Sequence, residues 1–118
     1  MSLIGQLLRV LRAGVVTTSY PARADVPDRG HRGTPELLPE RCTSVAACER
    51  VCPTRAIQLT DGPGGARTWA IDYGLCILCG ACVLACDQEA IVATSAFDLA
   101  SKAREGTTAH WRVEVTDV

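Results

Sequence analysis

The sequence predicts a small α+β fold in which two loop–helix–strand units, related by a pseudo-twofold, close around bound metal. Three observations lead there. Four Cys are packed as C-x2-C-x2-C-x3-C at Cys76, Cys79, Cys82 and Cys86. A shift of 34 positions lays Cys42, Cys48 and Cys52 on Cys76, Cys82 and Cys86, and Ala47, Ala56 and Ile57 on Ala81, Ala90 and Ile91. Finally, only 4% of the 118 residues are aromatic. So sparse a core needs cross-links of another kind, and metal supplies them in small domains.

The chain divides into four parts. Residues 1–16 hold an amphipathic helix over 2–13: Leu3, Ile4, Leu7, Leu8 and Leu11 share one side, and Gln6, Arg9 and Arg12 the other. Gly14 is a natural residue to end it. The apolar stripe is expected to rest on a partner subunit or a membrane surface; the plainer alternative is packing on its own domain. Residues 17–41 read as an extended arm, because Pro21, Pro27, Pro35 and Pro39 each hold the preceding residue out of the helical region. His31 in this arm reads as a surface or interface residue rather than a ligand.

Residues 42–95 contain the repeat. The first motif carries a helical turn over 48–52, ended by Pro53. Ala56–Thr60 is the first strand, Asp61-Gly62-Pro63-Gly64-Gly65 the turn, and Thr68–Ile71 the returning strand. Ala90–Thr94 repeats the first strand after the second motif. In the C-terminal extension, 96–118, Phe97–Arg104 is read as a short helix. His110–Val115 alternates like a strand that joins a sheet edge or a partner.

Charge and composition narrow the function. With 12 basic and 13 acidic residues the net charge is −1, and no basic patch suits nucleic acid. No run of 18 apolar residues exists to span a membrane. No nucleophile–base constellation or phosphate loop is visible, so the chain is expected to have no active site of its own. Seven Cys without a secretory signal pattern point to metal ligation in a reducing compartment rather than to disulfides.

The x2-x2-x3 packing is the pattern that bacterial-type ferredoxins use for iron–sulfur clusters, with the fourth Cys serving the neighbouring cluster. Zinc sites favour separated C-x2-C knuckles, which makes a structural zinc module the weaker reading. By the crossed rule, Cys52, Cys76, Cys79 and Cys82 hold a [4Fe–4S] cluster. Cys42, Cys48 and Cys86 are left with Val45, which has no donor atom, at the fourth corner. Asp87 replaces the Pro that usually follows the last Cys, so both departures fall on the same site. A [3Fe–4S] cluster, needing three thiolates, is the favoured occupant. The alternatives are a [4Fe–4S] cluster completed by water, Asp87 or a partner residue, and a site that stays empty.

These residues also carry a family likeness. Thr17-Thr18-Ser19-Tyr20-Pro21, His31-Arg32-Gly33, Glu40-Arg41-Cys42, Val51-Cys52-Pro53 and Asp72–Cys82 stand in the order found in one group. Over about residues 13–95 the chain resembles the two-cluster ferredoxin-like electron-transfer subunit of respiratory complex I and of membrane-bound [NiFe] hydrogenases, formate hydrogenlyase included. The short inter-motif hairpin looks more like the hydrogenase branch. The resemblance implies an electron relay between a donor module and a hydrogenase-like or quinone-reacting module, placed peripherally on the cytoplasmic face of a membrane arm. A freely diffusing ferredoxin is the alternative, disfavoured by the N-terminal helix, the arm and the weak net charge.

Overall fold

The computed structural model describes residues 3–114 except 24, 26 and 29. It is a small α+β fold with two antiparallel sheets and few helices. Helix α1 (Leu3–Ala13) comes first, followed by strand β1 (Thr34–Leu37). Helix α2 (Ala47–Val51) and strand β2 (Ile57–Asp61) come next, then β3 (Ala66–Asp72), helix α3 (Ala81–Leu84) and β4 (Ile91–Thr94). Strand β5 (Thr108–Glu114) closes the order.

One sheet pairs β1 with β4, Leu37 opposite Ile91; the other has the order β2-β3-β5, with Ile57 opposite Ile71 and Trp69 opposite Trp111. The end of the proline-rich arm is thus a sheet strand. Pro35 is tolerated there because β1 has a single neighbour, so a missing N–H on its outer edge breaks no ladder. Gly33 leads into it at φ 91, and a Cβ at that position would lie 2.6 Å from the Ala93 Cβ. Only glycine lets the arm approach β4 so closely.

The core lies between the two sheets and the two short helices. Trp69, Ile57, Ile71 and Val113 are fully buried, with Leu37, Ala56, Ala90 and Ile91 beside them. The Trp69 and Trp111 rings meet edge to face at 5.3 Å, a geometry that adds about 0.5–1.5 kcal/mol to their burial.

Residues 97–103 are not helical, against the sequence expectation of a helix over 97–104; a 3₁₀ turn begins only at Arg104 and runs to Thr107. Long-range contacts tie the start of the segment to the arm instead. The Tyr20 hydroxyl donates to the Asp98 carboxylate, the Tyr20 and Phe97 rings lie 5.7 Å apart, and the Thr34 hydroxyl donates to the Ala96 carbonyl. Together they outweigh a weak local helical preference.

Helix α1 buries none of its residues; Leu3 is 83% exposed and Leu11 69%. The described chain measures 72 × 28 × 25 Å with a radius of gyration of 20.5 Å, whereas a compact domain of this length has about 13–14 Å. The α1 stripe is not covered by its own domain.

Candidate metal centre

Each Cys loop is built the same way. The loop enters a short helix through left-handed residues, Ser44 (φ 59) and Ala46 (φ 59) in the first and Leu78 (φ 52) and Gly80 (φ 77) in the second. Arg55 (φ 54) and Glu89 (φ 50) turn the chain out again into β2 and β4. Each pair is 34 residues apart. Side chains in this conformation cost about 1–3 kcal/mol each and mark sites where the backbone is held for a purpose. The turns also direct backbone N–H groups at sulfur. Ala56 N donates to Cys52 Sγ at 3.2 Å, and Ala90 N donates to Cys86 Sγ at 3.3 Å.

Two cavities divide the seven Cys between them, and all seven thiols are free. One, of about 70 Å³, is lined by Cys42, Cys48 and Cys86 together with Ser44, Val45 and Asp87. The other, of about 20 Å³, is lined by Cys52, Cys76, Cys79 and Cys82 together with Pro35 and Ile77. Among the described residues, no three His, Cys, Asp or Glu side chains converge tightly enough to hold a single ion. The thiols surround hollows instead. His31 lines neither; it is half-buried, and its Nε2 has no hydrogen-bond partner among the described residues. Asp87 is exposed at the rim of the first.

The surroundings suit a sulfur-rich, negatively charged group. The Trp69 indole Nε1–H donates to Cys48 Sγ at 3.4 Å, from a fully buried ring. Arg67 Nη1 donates to the Ser44 carbonyl at 2.9 Å, and Arg50 Nη1 to the Val45 carbonyl at 3.1 Å. These two guanidinium groups pin the loop that carries Val45. Sequence reasoning passed over Trp69 and Ser44. The signals were present: Trp69 is one of two Trp in a chain poor in aromatics, and Ser44 stands where the repeat has Leu78.

Burial sets the thiol chemistry. It pushes Cys82 from 9.0 up to about 11, with Cys76 adding to the effect. Burial likewise raises Cys76 and Cys48, the latter against the indole N–H of Trp69. Cys52 ends below its ordinary value: burial would raise it, but hydrogen bonds from Thr54 and from the N–H groups of Ala56 and Ile57 outweigh that. Metal loading therefore expels protons.

A family model described as a 4Fe-4S dicluster domain matches residues 40–91. Formate hydrogenlyase subunit 6 of Escherichia coli (strain K12) is 36% identical over 67 residues, covering 56% of this chain and 37% of that protein. NADH-quinone oxidoreductase subunit I 2 of Geobacter metallireducens is 33% identical over 99 residues, covering 76% of each. NAD(P)H-quinone oxidoreductase subunit I of Gloeobacter violaceus is 29% identical over 103 residues, and the match covers 49% of its length. A chain in the structure of the membrane-bound sulfane sulfur reductase, an archaeal respiratory membrane complex, aligns with a TM-score of 0.64 at 30% identity. That alignment covers 89% of this chain and 57% of the other.

Proposed function

From the premise that this chain belongs to the dicluster iron–sulfur family of NADH-quinone oxidoreductase subunit I, we propose that it is the electron-relay subunit of a membrane-associated hydrogenase-like or complex I-like oxidoreductase. The observation that carries this reading is the division of seven Cys between two adjacent cavities, each drawing thiols from both motifs. Cys52, Cys76, Cys79 and Cys82 would hold a [4Fe–4S] cluster. Cys42, Cys48 and Cys86, facing Val45, would hold a [3Fe–4S] cluster; a [4Fe–4S] cluster completed by Asp87, water or a partner residue is the alternative. When bound, the two clusters supply the sites that an electron occupies in turn.

The chain's own part is to hold, insulate and tune. The paired left-handed residues and matching N–H···S contacts support a pseudo-twofold relation within residues 42–95. Buried Trp69, Ile57 and Ile71 keep water from the inner walls, while the pinned loops need little rearrangement when charge changes. The x2-x2-x3 spacing favours clusters over zinc, whose structural sites draw on separated C-x2-C knuckles. Anaerobically purified chain should be brown, with a broad visible band and iron matched by acid-labile sulfide. A colourless protein carrying zinc would sink the reading.

No helix among the described residues is long and apolar enough to cross a membrane. The exposed stripe of α1 is instead proposed as the attachment to partner subunits, on the cytoplasmic side of the membrane arm. Replacing Leu7 and Leu11, 59% and 69% exposed, with Asp is expected to release the subunit from its complex. Iron content should stay unchanged, because α1 touches neither cavity. Retention of the double variant in the purified complex would mean that other surfaces carry the docking.

A further inference from the structure

Ser44 is 7% exposed, and its hydroxyl has no hydrogen-bond partner among the described residues. It lines the cavity of Cys42, Cys48 and Cys86, next to the corner where Val45 replaces a thiolate. A buried hydroxyl without a partner costs about 1–3 kcal/mol, and such groups are rare in folded proteins. The loop cannot easily turn it outward. Its carbonyl is tied to Arg67 at 2.9 Å, the next one to Arg50 at 3.1 Å, and the backbone is left-handed on both sides of Val45. The equivalent position in the other loop is Leu78, at nearly the same φ. The polar side chain is therefore peculiar to the cavity that is one thiolate short.

We propose that the Ser44 hydroxyl donates a hydrogen bond to the sulfur of the group held by Cys42, Cys48 and Cys86, on the side facing Val45, and tunes its potential. This rests on the three-iron reading of that site. A group lacking one corner iron would present more electron-rich sulfur on that side, the better hydrogen-bond acceptor. One-electron reduction adds one negative charge, breaks no bond and moves no proton. A donor aimed at sulfur stabilises the reduced form and raises the potential. Trp69 already makes this kind of contact to Cys48 from the core side.

The test uses the anaerobically loaded chain and its Ser44→Ala variant. Ala46 holds the same φ of 59, so alanine is tolerated in this loop. Two readouts are taken: a potentiometric titration followed by paramagnetic resonance, and proton couplings before and after exchange into heavy water. The variant is expected to keep its iron, to titrate at a lower potential, and to lose an exchangeable-proton coupling that the native chain shows. The signal of the other cluster should not move. An unchanged potential together with a surviving coupling overturns the inference and leaves the three-iron reading standing. A native iron count that drops by one in the variant replaces the hydrogen bond with an iron–oxygen bond and overturns it too. A native chain with only the four-thiolate cluster filled overturns both.

Discussion

Cys79→Ser is expected to strip or convert the cluster at Cys52, Cys76, Cys79 and Cys82 and to collapse the fold at ordinary temperature. The cavity walls explain the size of the effect. Cys52 leads into β2, Cys76 and Cys79 sit on the second loop, and Cys82 on α3, so the proposed ligand set would tie both halves together. The protein core among the described residues is only ten residues, Trp69 the one large side chain among them. Losing such a cross-link takes away stability of the order of a whole domain's, about 5–15 kcal/mol. Thermal unfolding under anaerobic conditions, with iron analysis alongside, measures both outcomes. Unaltered iron, spectrum and melting temperature would falsify this ligand set.

Val45→Cys is expected to have the largest spectroscopic effect. It supplies a thiolate where the other motif has Cys79, and the backbone is prepared for it. The residues flanking Val45 have φ 59 and 59, those flanking Cys79 have 52 and 77. The Val45 side chain is 65% exposed at the cavity rim, so the new thiol needs rotation about one bond rather than a new loop. The native chain should contain about seven irons, three plus four, and show a paramagnetic signal when oxidised. In the variant the count should rise to about eight, and the oxidised signal should vanish as a second [4Fe–4S] cluster forms. A native chain with about eight irons and no oxidised signal would point to a non-thiolate ligand, with Asp87 the first to replace.

The parts of this molecule that the sequence made legible are those governed by local chemistry. The 34-residue offset was readable because ligand spacing and left-handed turns are short-range requirements, repeated at 44 and 78, 46 and 80, 55 and 89. The hairpin was readable because Gly62–Gly65 punctuates it. What escaped depends on distant partners. The arm's prolines announce extension but not pairing, and nothing near Thr34 in sequence says that β4 waits 57 residues later. The helical pattern at Phe97–Arg104 lost to Tyr20 and Thr34, far back in the chain. Ser44 looked like an ordinary loop serine until burial removed its water.

The exposed α1 has a thermodynamic consequence. At 11 residues it is shorter than the 12–15 or so that hold a helix in water without tertiary support, and it receives none. If the leucine stripe docks as proposed, ordering would be completed on the surface that accepts it. Part of the binding free energy would then go into winding the helix, weakening attachment without shrinking the contact. Attachment of this kind would be reversible and concentration-dependent. Far-ultraviolet circular dichroism would register such docking as a gain of helix confined to Leu3–Ala13, a folding step postponed until a partner surface receives it.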